Sequence, residues 1–189
     1  NLADEIAYNN HDVDDGLRSG VLTLEQLQGV SLFARHAVEV EAEFPRITGR
    51  RRVHETIRRM IDAQVTDLLA ESGRRIGELT PASLDDVHRA PPLIGFTAAM
   101  EAENRELKSF LREHLYRHFE VLRMTAKARR VIHDLFAAFV ADPRLLPPQY
   151  QAMADAGTIQ RATADYIAGM TDRYAMKEHR RLFAVGEIH

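Results

Sequence analysis

The chain lacks cysteine altogether, which excludes disulfides and thiolate metal sites and favours a cytoplasmic address over a secreted one. No apolar run approaches the ~20 residues of a membrane span, and the first residues lack the charged-then-apolar order of a signal peptide, so no membrane partner is expected. Alternating Val/Ile/Thr-rich stretches bounded by turn residues are missing too, which argues against β-strands. Neither an internal repeat, a low-complexity tract nor a domain linker interrupts the 189 residues. The formal net charge is only -3, so there is no general attraction to nucleic acid or anionic membrane, and any polyanion site must be local.

What remains is an ordinary globular composition, 45% hydrophobic and 28% charged, in a chain long enough to bury a sizeable core. Helical periodicity dominates and predicts an all-α fold. A first helix is expected from about Leu2 to Arg18, stopping near Gly20, followed by a short helix that Thr23 and Gln26 cap as a box. Ser31 to Phe44 reads as the next helix, ended by Pro45, and Arg50 to Glu78 as a long one whose end Gly73 and Gly77 loosen. Thr80-Pro81 opens one helical turn, and residues 88–96 read as a loop. Thr97 caps a helix to about His118, with Glu101, Glu103 and Glu106 near Arg105, Lys108 and Arg112 on its wet side. Residues 119–124 are ambiguous; Thr125 caps a helix to Ala141, and prolines 143, 147 and 148 make a rigid turn. Tyr150 to Ala156 and Ile159 to about Phe183 close the chain as a pair broken at Gly157. Asn1 is not a start methionine and no cap precedes Leu2, so the chain is expected to begin inside a domain.

The first helix carries the chemistry. At 100° per residue, Asp4, Tyr8, Asp12 and Asp15 fall within roughly 80° of one another with His11 beside them, while Leu2, Ile6, Val13 and Leu17 cluster opposite. The plain reading is an amphipathic helix with a solvated acidic face. The functional reading is that acids at four-residue spacing repel by a few tenths of a kcal/mol per pair, a repulsion that a bound cation removes. His11-Asp12 on its own is no metal site, because divalent ions take four to six donors gathered from several elements.

The stretch from Leu2 to Leu17 resembles the helix of dGTPase-like HD-domain triphosphohydrolases that carries the last aspartate of their H…HD…D metal set. The stretch from Asp165 to Ala175, DYIAGMTDRYA, resembles a near-terminal segment of the same family, and together the two make the likeness specific along nearly the whole chain. The resemblance implies that residues 1–189 form the C-terminal part of a single helical HD-type hydrolase domain whose H…HD part lies upstream. It implies metal-dependent cleavage of a deoxynucleoside triphosphate to deoxynucleoside and tripolyphosphate. The family pattern D-x-x-x-Y-x-x-x-D then makes Asp4 a ligand of a divalent ion (Mg, Mn, Zn, Ni or Fe), Asp12 the acceptor of the 3'-hydroxyl, and Tyr8 the filter against a 2'-hydroxyl. His11-Asp12 is not the metal doublet on this alignment. Residues 50–59 resemble the position of the family's basic contacts, with Arg51 and Arg58 as the phosphate-binding candidates. A homo-oligomer, tetramer or hexamer, is also implied, and 189 residues without the upstream ligands are expected to be inactive.

A second reading comes from a different class: a non-catalytic helical module that binds single-stranded nucleic acid or another partner through Arg50, Arg51, Arg52, Arg58 and Arg59. The remaining histidines show no metal spacing; His114 and His118 lie four apart but lack a zincin's acid. Phe110, Phe119, Phe136, Phe139, Tyr166 and Tyr174 recur at helical spacing and read as core or subunit contact, and Gly169 as a close helix packing point.

Overall fold

A computed structural model describes residues 2–153 and 158–184, and among these there is no β-strand: the expected all-α class holds. Two compact units form, Asn1–His118 and Phe119–His189.

In the first unit, α1 (Leu2–Ser19) buries Ile6 and Val13, with Leu2 and Leu17 packed half-buried against the same core. Gly16 lets the chain that returns through Leu22 lie directly on α1, and Gly20, at φ 78°, makes the reversal in a backbone region that side chains resist. The capping box of α2 (Leu24–Leu27) forms as the sequence predicts: Gln26 N donates to Thr23 Oγ1 at 3.2 Å, and Thr23 N donates to Gln26 Oε1 at 2.9 Å. Next come α3 (Ser31–Glu43), α4 (Gly49–Leu79), α5 (Leu84–Arg89) and α6 (Ala98–Leu111). Helices α1, α3, α4 and α6 pack around Val13, Leu27, Leu32, Met60, Leu107 and Leu111, all fully buried. Thr97 caps α6, and Asp67 of α4 in turn accepts from Thr97 N at 2.9 Å and Thr97 Oγ1 at 2.7 Å, so the start of α6 is bonded to the middle of α4.

The charges expected to pair along α6 mostly reach across to other helices instead. Arg105 does pair with Glu101 at 3.2 Å, but Lys108 pairs with Glu5 of α1 at 2.8 Å and Glu103 with Arg35 of α3 at 2.6 Å. Glu106 accepts from Ser31 N at 3.1 Å and so caps α3. These bonds are long-range, so helical spacing alone did not reveal them.

The long helix does not loosen at Gly73 and Gly77. Arg74 bridges Glu71 and Glu78 across that segment, and Arg75 ties it to the carbonyl oxygens of Pro92 and Phe96. The helix ends at Thr80, which takes a left-handed φ of 43°. The extra helical turn starts after Ser83, whose hydroxyl caps Asp86 N, rather than at Thr80-Pro81. The run expected to reach His118 leaves the α-helical pattern at Arg112 and continues to Tyr116 as a π-helical turn.

In the second unit, α7 (Phe119–Ala141) includes the ambiguous segment, and Thr125 lies inside the helix rather than at its cap. Asp142 caps the short turn Pro143–Leu145, then come α8 (Pro148–Met153), α9 (Ile159–Ala168) and α10 (Asp172–Phe183). The single final helix is thus two. Gly169 ends α9 and Thr171 accepts from Tyr174 N to start α10, so Gly169 marks a helix end, with nothing closer to it than its own helix's carbonyl oxygens. The expected break at Gly157 lies outside the described residues. Phe139 and Tyr166 meet edge-on at 5.4 Å in a core with Val131, Leu135 and Leu146. Phe119, Phe136 and Tyr174 are exposed, so of the six aromatics read as core or subunit contact these three are not core. Among the described residues no helix is long and apolar enough to cross a membrane.

Gly16→Ala tests the packing of α1. Its new methyl would sit 2.4 Å from Leu22 Cδ1 and 2.7 Å from Cγ, and Leu22 is buried, so it cannot simply swing into water. Overpacking costs about 1–3 kcal/mol, which outweighs the up to ~1 kcal/mol that alanine gains over glycine in a helix. The expected result is a lower Tm on thermal unfolding, and a smaller effect of the same change when it is made in a Leu22→Ala background; a raised Tm for the single variant would contradict the close approach.

Candidate functional site

With Ile6 and Val13 turned into the core, the opposite face of α1 has no freedom of direction: Asp4 and Tyr8 stand exposed and Asp12 is half-buried. His11 and Asp15 beside them are exposed as well. Two further polar residues of α1 went unremarked in the sequence, Asn9 and Asn10, which are buried; Asn10 Nδ2 bonds the Ile6 carbonyl at 2.7 Å. The three pattern residues thus share one accessible face.

Sequence reasoning missed one member of this face. Tyr116, the last residue of the π-helical turn, donates its phenol hydroxyl to Asp12 Oδ2, across 104 positions of sequence. No local pattern signals such a partner, because it depends on an irregular turn; π turns concentrate at functional sites, but are not written in hydrophobic periodicity. Burial holds the Tyr116 phenol above the usual tyrosine range, helped by its bond to Asp12, the Asp12 charge and the nearby Tyr8. The phenol therefore stays protonated at neutral pH and remains a donor to the carboxylate. Oδ1 of Asp12 accepts no hydrogen bond among the described residues.

The basic segment is not an open row of cations. Arg58 grips Glu55 with two bonds, Nε at 2.9 Å and Nη2 at 2.6 Å, and Arg59 bonds both Glu55 and Glu43. The Arg58 bond, then the Arg59 bond and both charges, hold the Glu55 carboxyl down at about 2 against the opposing pull of burial. Arg52 pairs with Glu41 at 2.7 Å, and Arg50 lies 3.8 Å from Asp14. Arg51 is exposed and has no ion pair among the described residues, so of the two candidates Arg51 presents a free guanidinium while Arg58 is shared with Glu55.

For a metal ion, Asp4 offers one exposed, hard carboxylate with no ion pair among the described residues. No three His, Asp or Glu side chains gather closely enough among those residues to hold an ion. The donor chemistry therefore suits one member of a ligand set and not a whole set. The His114–His118 pair makes no such set either: the His114 ring stacks on Phe110 at 4.5 Å and bonds its carbonyl oxygen at 3.2 Å. A groove of about 830 Å³ runs between α4, the 91–96 loop, α6 and the start of α1, where Leu2 and Glu5 line it, and its lining includes none of the five candidate residues.

Residues 94–181 match the phosphohydrolase-associated domain. The whole chain is similar to proteins named deoxyguanosinetriphosphate triphosphohydrolase-like. It is 62% identical over 185 residues to one from Ralstonia nicotianae, covering 98% of the chain and 48% of the relative. It is 58% identical over 189 residues to one from an Azoarcus species, covering 100% and 50%, and 60% identical over 186 residues to one from Bordetella pertussis, covering 98% and 48%. The chain thus spans about half the length of the curated relatives it matches.

The Tyr116–Asp12 bond has a signature in alkaline titration. A phenol raised above its unfolded value of about 10 favours the fold below that pH, and this contribution is lost as pH rises through the folded value. In Asp12→Asn the burial remains but the charge is gone, so Tyr116 should ionise at lower pH and the stability lost above about pH 10 should be smaller. Tyrosinate absorbance, taken as the difference from Tyr116→Phe, reads this directly; an unmoved titration would mean that Asp12 does not act on Tyr116.

Proposed function

The chain belongs to the family of deoxyguanosinetriphosphate triphosphohydrolase-like proteins, and from that membership we propose that it forms part of a metal-dependent phosphohydrolase cleaving a deoxynucleoside triphosphate such as dGTP to deoxynucleoside and tripolyphosphate. The observation that carries this reading is high identity along the entire chain to proteins so named. The solvent-facing ladder of Asp4, Tyr8 and Asp12 on α1 supports it chemically.

Asp4 would supply one anionic ligand to a divalent ion, the others coming from the half of the relatives' length that this chain does not span. When bound, such an ion lowers the pKa of its water and neutralises charge on the phosphate. Asp12 accepts a hydrogen bond from the 3'-hydroxyl of the sugar. Tyr8 packs where a ribonucleotide would carry its 2'-hydroxyl, and so selects for deoxyribose by exclusion. Arg51, free of acidic partners, contributes charge to the triphosphate; Arg58 can do so only while keeping or exchanging Glu55. The soluble enzyme works as a homo-oligomer in the cytoplasm, and residues 1–189 alone release no tripolyphosphate.

A nucleic-acid-binding module is the lesser reading, since four of the five arginines in the basic segment already face acids: Arg50, Arg52, Arg58 and Arg59. Steep loss of single-stranded DNA binding with salt, together with no divalent-dependent turnover, would favour it.

Three substitutions in the full-length protein separate the roles. Asp4→Ala should lower metal content and abolish turnover, with poor rescue by excess metal. Asp12→Ala should keep its metal and lose about 10–150-fold in kcat/KM for dGTP, the worth of a charge-assisted hydrogen bond of about 1.5–3 kcal/mol. Tyr8→Ala should narrow the preference for dGTP over GTP. Metal analysis and kcat/KM on both nucleotides decide; Asp4→Ala retaining metal and activity while Asp12→Ala loses both would transfer the metal site to His11-Asp12.

A further inference from the structure

We propose that Tyr116 is a positioning residue for Asp12: its hydroxyl holds one oxygen of the carboxylate so that the other stays free and correctly turned for the sugar hydroxyl. This rests on the reading that Asp12 receives the 3'-hydroxyl.

The geometry favours orientation over stability as the purpose of the bond. A carboxylate on a two-bond side chain at the edge of a helix turns freely about its last torsion, and a sugar hydroxyl then finds the acceptor in many directions. The Tyr116 hydroxyl occupies Oδ2 and leaves Oδ1 without a partner among the described residues. Tyr116 is 41% exposed and Asp12 is half-buried, so the pair can be reached from solvent while the bond holds it. The chain leaves its α-helical pattern over Arg112–Tyr116, directly after the Leu111 turn that is locked in the core, and Tyr116 is the residue at which this irregularity ends. Leu115, next to it, is buried and anchors the turn, so Tyr116 approaches α1 from a fixed base. Tyr8 stands one helical turn before Asp12 on the same face of α1, which puts the proposed 2' filter next to the 3' acceptor that Tyr116 holds. Fixing the acceptor in advance spares the substrate the entropy of ordering it, and the benefit appears only with substrates that use the acceptor.

The test is kcat/KM for dGTP and for its 2',3'-dideoxy analogue, on full-length wild-type protein, Tyr116→Phe, Asp12→Ala and the double variant. Tyr116→Phe keeps the ring and removes only the donor, so the preference for dGTP over the dideoxy analogue should fall about 2–12-fold, the worth of one hydrogen bond. In the Asp12→Ala background the same change should have no further effect on that preference, because the two act through one contact. Tyr116→Gln, which retains a donor, should recover part of it and guards against a Phe variant that fails to fold, with thermal unfolding as the check. Equal losses on both substrates, or none, would overturn the positioning role. If Asp12→Ala leaves the dGTP preference intact, the sugar reading of Asp12 falls and takes this inference with it; if Asp12→Ala erases the preference and Tyr116→Phe does not touch it, only Tyr116 is misassigned.

Discussion

The angular setting of α1 about its own axis is the constraint from which the candidate site follows. Ile6 and Val13 are sealed in the core, and Gly16 presses against Leu22, so three points along one side of the helix fix its rotation. A slip of one residue would turn the helix by about 100° and carry Asp4, Tyr8 and Asp12 away from their shared face. The binding chemistry proposed for this face therefore depends on side chains that never meet substrate. A similar dependence holds for α6, whose first turn is bonded to Asp67 of α4 and whose Lys108 reaches Glu5 of α1. Helices that would otherwise be related only by apolar contact, which is tolerant of sliding, are given register by these directional bonds.

Much of this was legible from residues alone, for physical reasons specific to each element. The opposed clusters on α1 follow from helical period, and Thr23 with Gln26 is a local signal completed within one turn. Pro45 and Gly20 end helices through their own backbone preferences. Where the sequence misled, the deciding contact was remote. Gly73 and Gly77 weaken a helix intrinsically, but Arg74 and Arg75 hold that segment through Glu71, Glu78 and the loop carbonyls. Thr125 has the composition of a cap without the geometry, and Thr171, passed over, has both. Tyr116 was invisible because its role depends on a helical irregularity and on a partner in the first helix.

The arginines of α4 illustrate how little a charge count says about available charge. Five lie within ten residues, yet Glu55, Glu43, Glu41 and Asp14 are distributed so that four of them meet an acid. Exposed ion pairs of this kind contribute modestly to stability. Their larger effect is to remove the field that a bare stripe would project, leaving Arg51 as a localised cation and not one point in a continuous band.

The π-helical turn makes chain length, more than side-chain identity, the sensitive variable between Arg112 and Tyr116. Such a turn closes its hydrogen bonds one residue later than an α-helix does, so it stores a surplus residue between two otherwise regular stretches. Inserting one further residue there would turn the phenol about 100° around the axis, off Asp12, whereas removing the surplus residue would let the α-helical pattern run on with the phenol near its present direction. Substitutions at the exposed Arg112 or Glu113 alter surface chemistry and leave that count intact. The site can accordingly absorb a change of side chain within this segment, but not a single-codon insertion.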